Sequence, residues 1–147
     1  MEKEKARFDT ARKWLIFWTL FIGIGAVVGS VSMFLAPDGR ILHMQDMLVY
    51  FRVLPFADVL FQDYIFSGVA LLIVNGLTNL TAAALLLRRK RLGVILGGVF
   101  GVTLMLWIGI QFAIFPLNAL DVAYFVFGLC QAIAGGAAWK RLERAKR

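Results

Sequence analysis

The chain has 147 residues, of which 61% are hydrophobic and 17% are charged, and its mean hydropathy is +0.78. A soluble domain contains roughly 45–50% apolar and about 25% charged residues, so this composition argues against a soluble enzyme and indicates an integral membrane protein. The net charge is +7, but the basic residues lie in short clusters between long apolar runs. That distribution is typical of membrane-flanking charge and argues against nucleic-acid binding.

Four stretches without charged residues are long enough to cross a bilayer, which takes about 20 apolar residues in a helix. Because the third stretch exceeds one span and contains Pro116, whose missing N–H suits the first turn of a helix, we place a helix break there. The sequence therefore predicts a single domain, an all-α transmembrane four-helix bundle. The predicted helices cover 14–36, about 60–87, 92–115 and 117–139, and a basic tail follows at 140–147.

The basic clusters predict the orientation of these helices. If the amino terminus is cytoplasmic, every Lys and Arg except Arg40 and Arg52 falls on the cytoplasmic side, in agreement with the positive-inside rule. We therefore expect both termini in the cytoplasm, with a first helix too long to be a signal peptide. The clusters are Lys3, Lys5, Arg7, Arg12 and Lys13, then Arg88, Arg89, Lys90 and Arg91, then Lys140, Arg141, Arg144, Lys146 and Arg147.

The connection between the first two helices, 37–56, is long for a structureless loop in a compact domain. Within it Ile41, Met44, Leu48 and Phe51 recur at helical spacing with polar residues between them. We expect an external amphipathic helix that lies on the outer interface or caps the bundle. The other two connections are tight turns that make consecutive helices antiparallel neighbours.

Several polar side chains fall inside the predicted helices, where each needs a partner or a water-filled cavity. Asn75 and Asn79 share one face of the second helix because they are four residues apart. Two interpretations stay open: the side chains form interhelical hydrogen bonds, or they line a polar cavity that opens to the outside. Carboxylates near helix starts are also favoured by the macrodipole. The candidate cavity residues are Asp63, Asn75, Asn79, Gln111, Asp121 and Gln131.

Glycines form a second pattern on the third helix. Gly93, Gly97 and Gly101 repeat every four residues, and small residues at this spacing let two helices approach closely. The stripe is therefore either a helix-packing surface inside the bundle or the seam of a homodimer.

Residues that usually carry catalysis or bind cofactors are scarce. His43 is the only histidine and Cys130 the only cysteine. One copy therefore cannot build a bis-histidine haem site, a histidine-based metal site or a dithiol pair within its helices. We expect no cofactor, no metal and no catalytic residue.

Three segments carry a family resemblance: 75–80 (NGLTNL), 85–89 (LLLRR) and 107–111 (WIGIQ). With this layout the chain resembles small bacterial four-span membrane proteins of the DoxX-like group over about residues 60–135. The resemblance implies the four-helix layout and a bacterial inner membrane. Some DoxX-type proteins are tied to quinone-linked or redox complexes, but the resemblance assigns no site residue here.

Three classes of function fit these observations. The first is a non-enzymatic accessory or interaction protein, with the bilayer and a membrane protein or a second copy as partners. The second is a small dimeric transporter or channel that uses the outward-facing cavity. The third, a membrane enzyme acting on a lipid or quinone, is the least favoured because catalysis needs an activated nucleophile or an acid–base pair.

Overall fold

The computed structural model describes residues 1–146, and no strand occurs within that range. Four helices are long and apolar enough to cross a membrane, which confirms the all-α four-helix bundle and makes the chain a multi-pass membrane protein. They are α1 (Glu2–Leu35), α2 (Ile65–Leu87), α3 (Arg91–Ile114) and α4 (Ala119–Lys146).

Some helix boundaries differ from the predicted ones, and the largest differences occur where a helix continues beyond its apolar part. α1 begins at Glu2 instead of residue 14, and α4 continues through the basic tail to Lys146 instead of ending at 139; Arg147, the last residue of that tail, lies outside the described residues. α2 begins at Ile65 and α4 at Ala119, later than predicted, whereas α3 agrees within one residue. Hydropathy locates the membrane-embedded part of a helix and says little about where its backbone hydrogen bonds start and stop.

The helices alternate in direction and follow one another around the bundle. α1 packs against α2 and α4, and α3 packs against α4 and the Thr78–Leu87 half of α2. The start of α1 and the end of α4 lie at one end of the bundle, the termini end, where Arg141 Nη1 donates to the Arg7 carbonyl oxygen at 2.8 Å. The opposite end, here called the loop end, carries residues 36–64 and the turn before α4.

Glycines bring α3 and α4 together. A Cβ atom on Gly135 would lie 2.3 Å from Gly98 Cα, and one on Gly101 would lie 2.6 Å from the backbone nitrogen of Ala132. Van der Waals contact between close backbones is a main source of helix association in lipid, where there is no hydrophobic driving force between helices. Among the glycines of the described residues, those at this crossing include the one whose added Cβ would meet its neighbour at the shortest distance.

The predicted glycine stripe lies inside this packing. A Cβ on Gly93 would meet the Leu86 backbone at 2.6 Å, and one on Gly97 would meet the Leu15 side chain at 2.9 Å. Like Gly101, both are buried against helices of their own chain. Of the two interpretations offered by the sequence, helix packing accounts for all three glycines.

Residues 36–64, the cap segment, fold over the loop end of the bundle. They form 3₁₀ turns at Arg40–Leu42 and Gln45–Val53 and one α-helical turn at Ala57–Leu60. The expected amphipathic helix is thus replaced by tighter 3₁₀ turns, the form usual for short connecting pieces. The segment does cap the bundle, because Phe51 is buried, stacks on Phe61 at 4.7 Å between ring centroids and meets Phe115 edge-on at 5.0 Å.

Tyr64, directly before α2, holds the cap segment in place through two hydrogen bonds. Its hydroxyl donates to the Met44 carbonyl oxygen at 2.6 Å and its backbone N–H to the Pro37 carbonyl oxygen at 2.9 Å. Gly39 has φ +80°, and a Cβ there would lie 2.6 Å from the Tyr64 ring. The turn therefore requires glycine for both its backbone angle and its contact with the ring.

Candidate functional site

A fully buried polar layer crosses the middle of the bundle. Gln131 Nε2, on α4, donates to Asn79 Oδ1 on α2 at 2.8 Å and to the Gly97 carbonyl oxygen on α3 at 2.6 Å. Asn79 Nδ2 in turn donates to the Asn75 carbonyl oxygen at 2.9 Å. These contacts tie three helices together through side chains that are 0% exposed, so Asn79 and Gln131 serve as interhelical hydrogen-bonding residues.

Asn75, one turn nearer the loop end, is in a different situation. Its side chain is 1% exposed, yet neither Oδ1 nor Nδ2 has a hydrogen-bond partner among residues 1–146. A buried polar group without a partner costs about 1–3 kcal/mol. Asn75 also lies in a π-helical turn, Leu72–Leu77, a feature that frequently occurs at functional sites.

A cavity of about 190 Å³ lies beside Asn75, between all four helices; its wall is mostly apolar, and we call it the polar cavity after the few polar side chains in that wall. Its other polar lining residues are Gln111, Asp121 and Tyr124. A dry cavity of about 150 Å³ can enclose a benzene-sized molecule. The cavity that Asn75 lines is therefore large enough for part of a ligand as well as for water. Both polar atoms of the Asn75 side chain are covered by their neighbours, so a ligand reaches them only when those neighbours shift.

The Asp121 carboxylate in this wall is already well bonded. Asn118 Nδ2 donates to Asp121 Oδ2 at 2.7 Å, and the Asp121 backbone N–H donates to Asn118 Oδ1 at 2.9 Å. With the Gln111 amide turned so that both its ends are satisfied, its nitrogen lies 3.2 Å from Asp121 Oδ1 and its oxygen 3.1 Å from Trp107 Nε1. Both carboxylate oxygens thus accept hydrogen bonds from this chain, whereas Asn75 makes none through its side chain.

A second, mostly apolar cavity of about 230 Å³ adjoins the first beneath the cap segment; we call it the aromatic chamber. Residues shared by the two walls include Met33, Met44 and Trp107, and methionine side chains adapt readily to different neighbours. The chamber is lined further by aromatic residues of the cap segment, α2 and the turn before α4: Phe51, Phe61, Tyr64, Phe66 and Phe115.

The chamber exists because α2 and α3 diverge. The two helices are in contact along Thr78–Leu87, close to their connecting turn, and separate toward Ile65. Phe66 on α2 and Ile110 on α3 both line the chamber and are 41% and 58% exposed. An opening between these two residues would face the region that lipid occupies around a multi-pass protein.

The six predicted cavity residues fall into three groups. Asn75, Gln111 and Asp121 line the polar cavity, whereas Asn79 and Gln131 form the polar layer beneath it. Asp63 lies in neither, because its Oδ1 accepts the Ile65 backbone N–H at 2.9 Å at the start of α2. The aromatic chamber was not predicted, since aromatic and methionine side chains in an apolar sequence give no signal that separates cavity walls from lipid-facing surface.

The chain matches no protein-family model, no characterised protein and no solved structure. The DoxX-like resemblance therefore stays a prediction, and the two cavities are the structural basis for a function. Within residues 1–146, no three His, Cys, Asp or Glu side chains are grouped closely enough to hold a metal ion.

Proposed function

We propose that this protein is a non-enzymatic membrane protein that binds a small, largely apolar molecule taken up from the surrounding lipid. The observation that carries the proposal is the aromatic chamber, which has exposed lining residues on α2 and α3 and shares wall residues with the polar cavity beneath. Ligand sites are typically apolar cavities with a few placed polar groups. The accessory role expected from the sequence then becomes more specific, since the protein would hold a ligand within the bilayer.

Binding is better supported than transport. Beneath the polar cavity lie the hydrogen-bonded layer of Asn79 and Gln131 and then an apolar cluster at the termini end. The members of that cluster are at most 4% exposed: Ala11, Leu15, Leu86, Val94 and Ala138. A pathway across the bilayer would have to open both layers, whereas a binding site needs only the loop-end half.

The proposal places the protein in a bacterial cytoplasmic membrane with both termini in the cytoplasm. Support comes from the termini end, where all the basic clusters lie, and from the positive-inside rule. The cap segment is then external, and its only trypsin sites are Arg40 and Arg52, both exposed.

We expect trypsin added to intact spheroplasts to cut only in the cap segment. Cleavage at both sites gives three fragments, 1–40, 41–52 and 53–147, which mass spectrometry would identify. Disrupted spheroplasts would serve as the control in which the basic clusters are also cut. Cleavage within Arg88–Arg91 or 140–146 in intact spheroplasts would reverse the proposed orientation.

The binding proposal is tested with Trp107, which lines both cavities. In a variant that keeps only this tryptophan (Trp14, Trp18 and Trp139 replaced by Phe), we expect 1-bromoundecane in lipid nanodiscs to quench its fluorescence saturably. A variant that keeps only Trp14, which is 59% exposed, reports unspecific partition into the bilayer. Ala70→Phe, which adds a ring in the chamber wall, is expected to abolish the saturable part.

The matched control is Ala113→Phe, because Ala113 lies on the exposed surface of α3 at the same end of the bundle. It is expected to leave quenching of Trp107 unchanged. Quenching of Trp107 that is unsaturable and no stronger than that of Trp14 would mean that the chamber takes up no apolar chain.

A further inference from the structure

The unsatisfied Asn75 carboxamide specifies the ligand more closely, on the condition that the proposed function holds. We infer that the two cavities take a neutral single-chain amphiphile. Its head, a hydroxyl or a primary amide, is hydrogen-bonded to Asn75 in the polar cavity, and its chain lies in the aromatic chamber.

The head must be able to both donate and accept. Asn75 Oδ1 needs a donor and Nδ2 needs an acceptor, and within residues 1–146 neither atom has a protein partner. A hydroxyl supplies one donor and two acceptor lone pairs, and a primary amide supplies both kinds of group as well. An ester or ether oxygen would satisfy only Nδ2 and leave Oδ1 buried without a donor.

The head must also be uncharged. Asp121 lies in the wall of the same cavity, so a carboxylate head would meet a like charge, and no Lys or Arg is found among the described lining residues of either cavity. A cationic head offers no acceptor to Asn75 Nδ2, and each oxygen of Asp121 already accepts one hydrogen bond, from Asn118 and from the turned Gln111 amide. Charge buried without a partner is strongly unfavourable.

The apolar chain of the ligand is inferred from the arrangement of the two cavities. Met33, Met44 and Trp107 lie in the walls of both cavities, so a narrow molecule occupies both when the adaptable methionine side chains turn aside between them. The exposed lining residues Phe66 and Ile110 are where such a chain would enter from lipid. This arrangement fits one chain of moderate length better than a ring system or a two-chain phospholipid.

The test uses the Trp107-only protein in nanodiscs and three probes with the same chain: 11-bromo-1-undecanol, 1-bromoundecane and 11-bromoundecyltrimethylammonium. We expect the alcohol to reach half-maximal quenching at a mole fraction about tenfold lower than the other two. That factor corresponds to the loss of one to two net hydrogen bonds. In Asn75→Leu, the advantage of the alcohol over bromoundecane is expected to disappear.

A second readout separates binding from a structural role for Asn75. Because its side chain makes no hydrogen bond within the described chain, Asn75→Leu is expected to leave the thermal stability of the ligand-free protein unchanged or raise it. Asn79→Leu, four residues away on the same helix, is the matched variant and is expected to lower it.

The quenching results distinguish a wrong assignment of the ligand's head from failure of the proposed binding function. If bromoundecane quenches Trp107 saturably but the alcohol has no advantage, the chamber binds an apolar chain and the assignment of the head is wrong. Tighter binding of the ammonium probe would place a cation at Asp121 instead and overturn the inference. If no probe quenches saturably, water alone occupies the polar cavity, and both proposals fail.

Discussion

Gly135→Ala is expected to destabilise the protein by about 1–3 kcal/mol or more, the cost usual for overpacking a tight contact. The added methyl would lie 2.3 Å from Gly98 Cα, and this neighbour is backbone that cannot rotate away. α3 and α4 must therefore separate along their glycine crossing. The loss is expected even though alanine is a better helix former than glycine by about 0.8–1.0 kcal/mol.

Gly136→Ala is the matched control, because a Cβ on the next residue of the same helix meets nothing within 4 Å. This variant is expected to be as stable as the parent or more stable, owing to its helix propensity alone. Stability is measured by circular dichroism during titration with sodium dodecyl sulfate from a mild detergent. Equal midpoints for the two alanine variants would show that the close crossing of α3 and α4 does not hold the bundle together.

A second pair on α3 extends the comparison. A Cβ on Gly101 would meet the Ala132 backbone nitrogen at 2.6 Å, whereas one on Gly109 meets nothing within 4 Å. In the sequence, the two glycines differ only in that Gly101 belongs to the regular four-residue repeat and Gly109 does not. That repeat correctly identified the buried glycines, but the identity of the partner helix required the structure.

The membrane layout could be predicted because it follows from composition alone. A run of apolar residues must cross lipid as a helix in which all backbone groups are bonded, so α3 was placed within one residue. The cap segment could not be predicted as closely. Its apolar spacing fits a helix, but Gly39 at φ +80° and the hydrogen bond from Tyr64 to Met44 hold it in short 3₁₀ turns.

The site was only half predictable for a related reason. Asn75 and Asn79 have the same side chain and share a face of an ideal helix, so the sequence offers no way to distinguish their roles. In the fold, Gln131 reaches Asn79 from across the bundle, and the π-helical turn places Asn75 beside a cavity instead. Which carboxamide is satisfied depends on how α2 is rotated against α4, and that is set by tertiary packing.

Asn79 and Gln131 are expected to be energetically coupled. Gln131→Met keeps the length of the side chain but removes both donors, so it leaves Asn79 Oδ1 buried without a partner and is expected to cost about 1–3 kcal/mol. Asn79→Leu removes the acceptor, although Gln131 Nε2 keeps its second contact with the Gly97 carbonyl oxygen at 2.6 Å. Because Gln131 Oε1 is buried without a partner among the described residues, Gln131→Met also removes one unsatisfied atom, and its cost is expected toward the lower end of that range.

The double variant, Asn79→Leu with Gln131→Met, shows whether these two side chains act through their hydrogen bond or only by filling space. Removing both polar partners leaves no orphaned group at Asn79, so the double variant is expected to be more stable than the sum of the single effects predicts, by about 0.5–3 kcal/mol. Thr81→Val, at an exposed position of the same helix, should instead combine additively with Gln131→Met. If the effects of Gln131→Met add both to those of Asn79→Leu and to those of Thr81→Val, Asn79 and Gln131 contribute only packing. The main reason to regard the polar cavity as closed toward the termini end would then be lost.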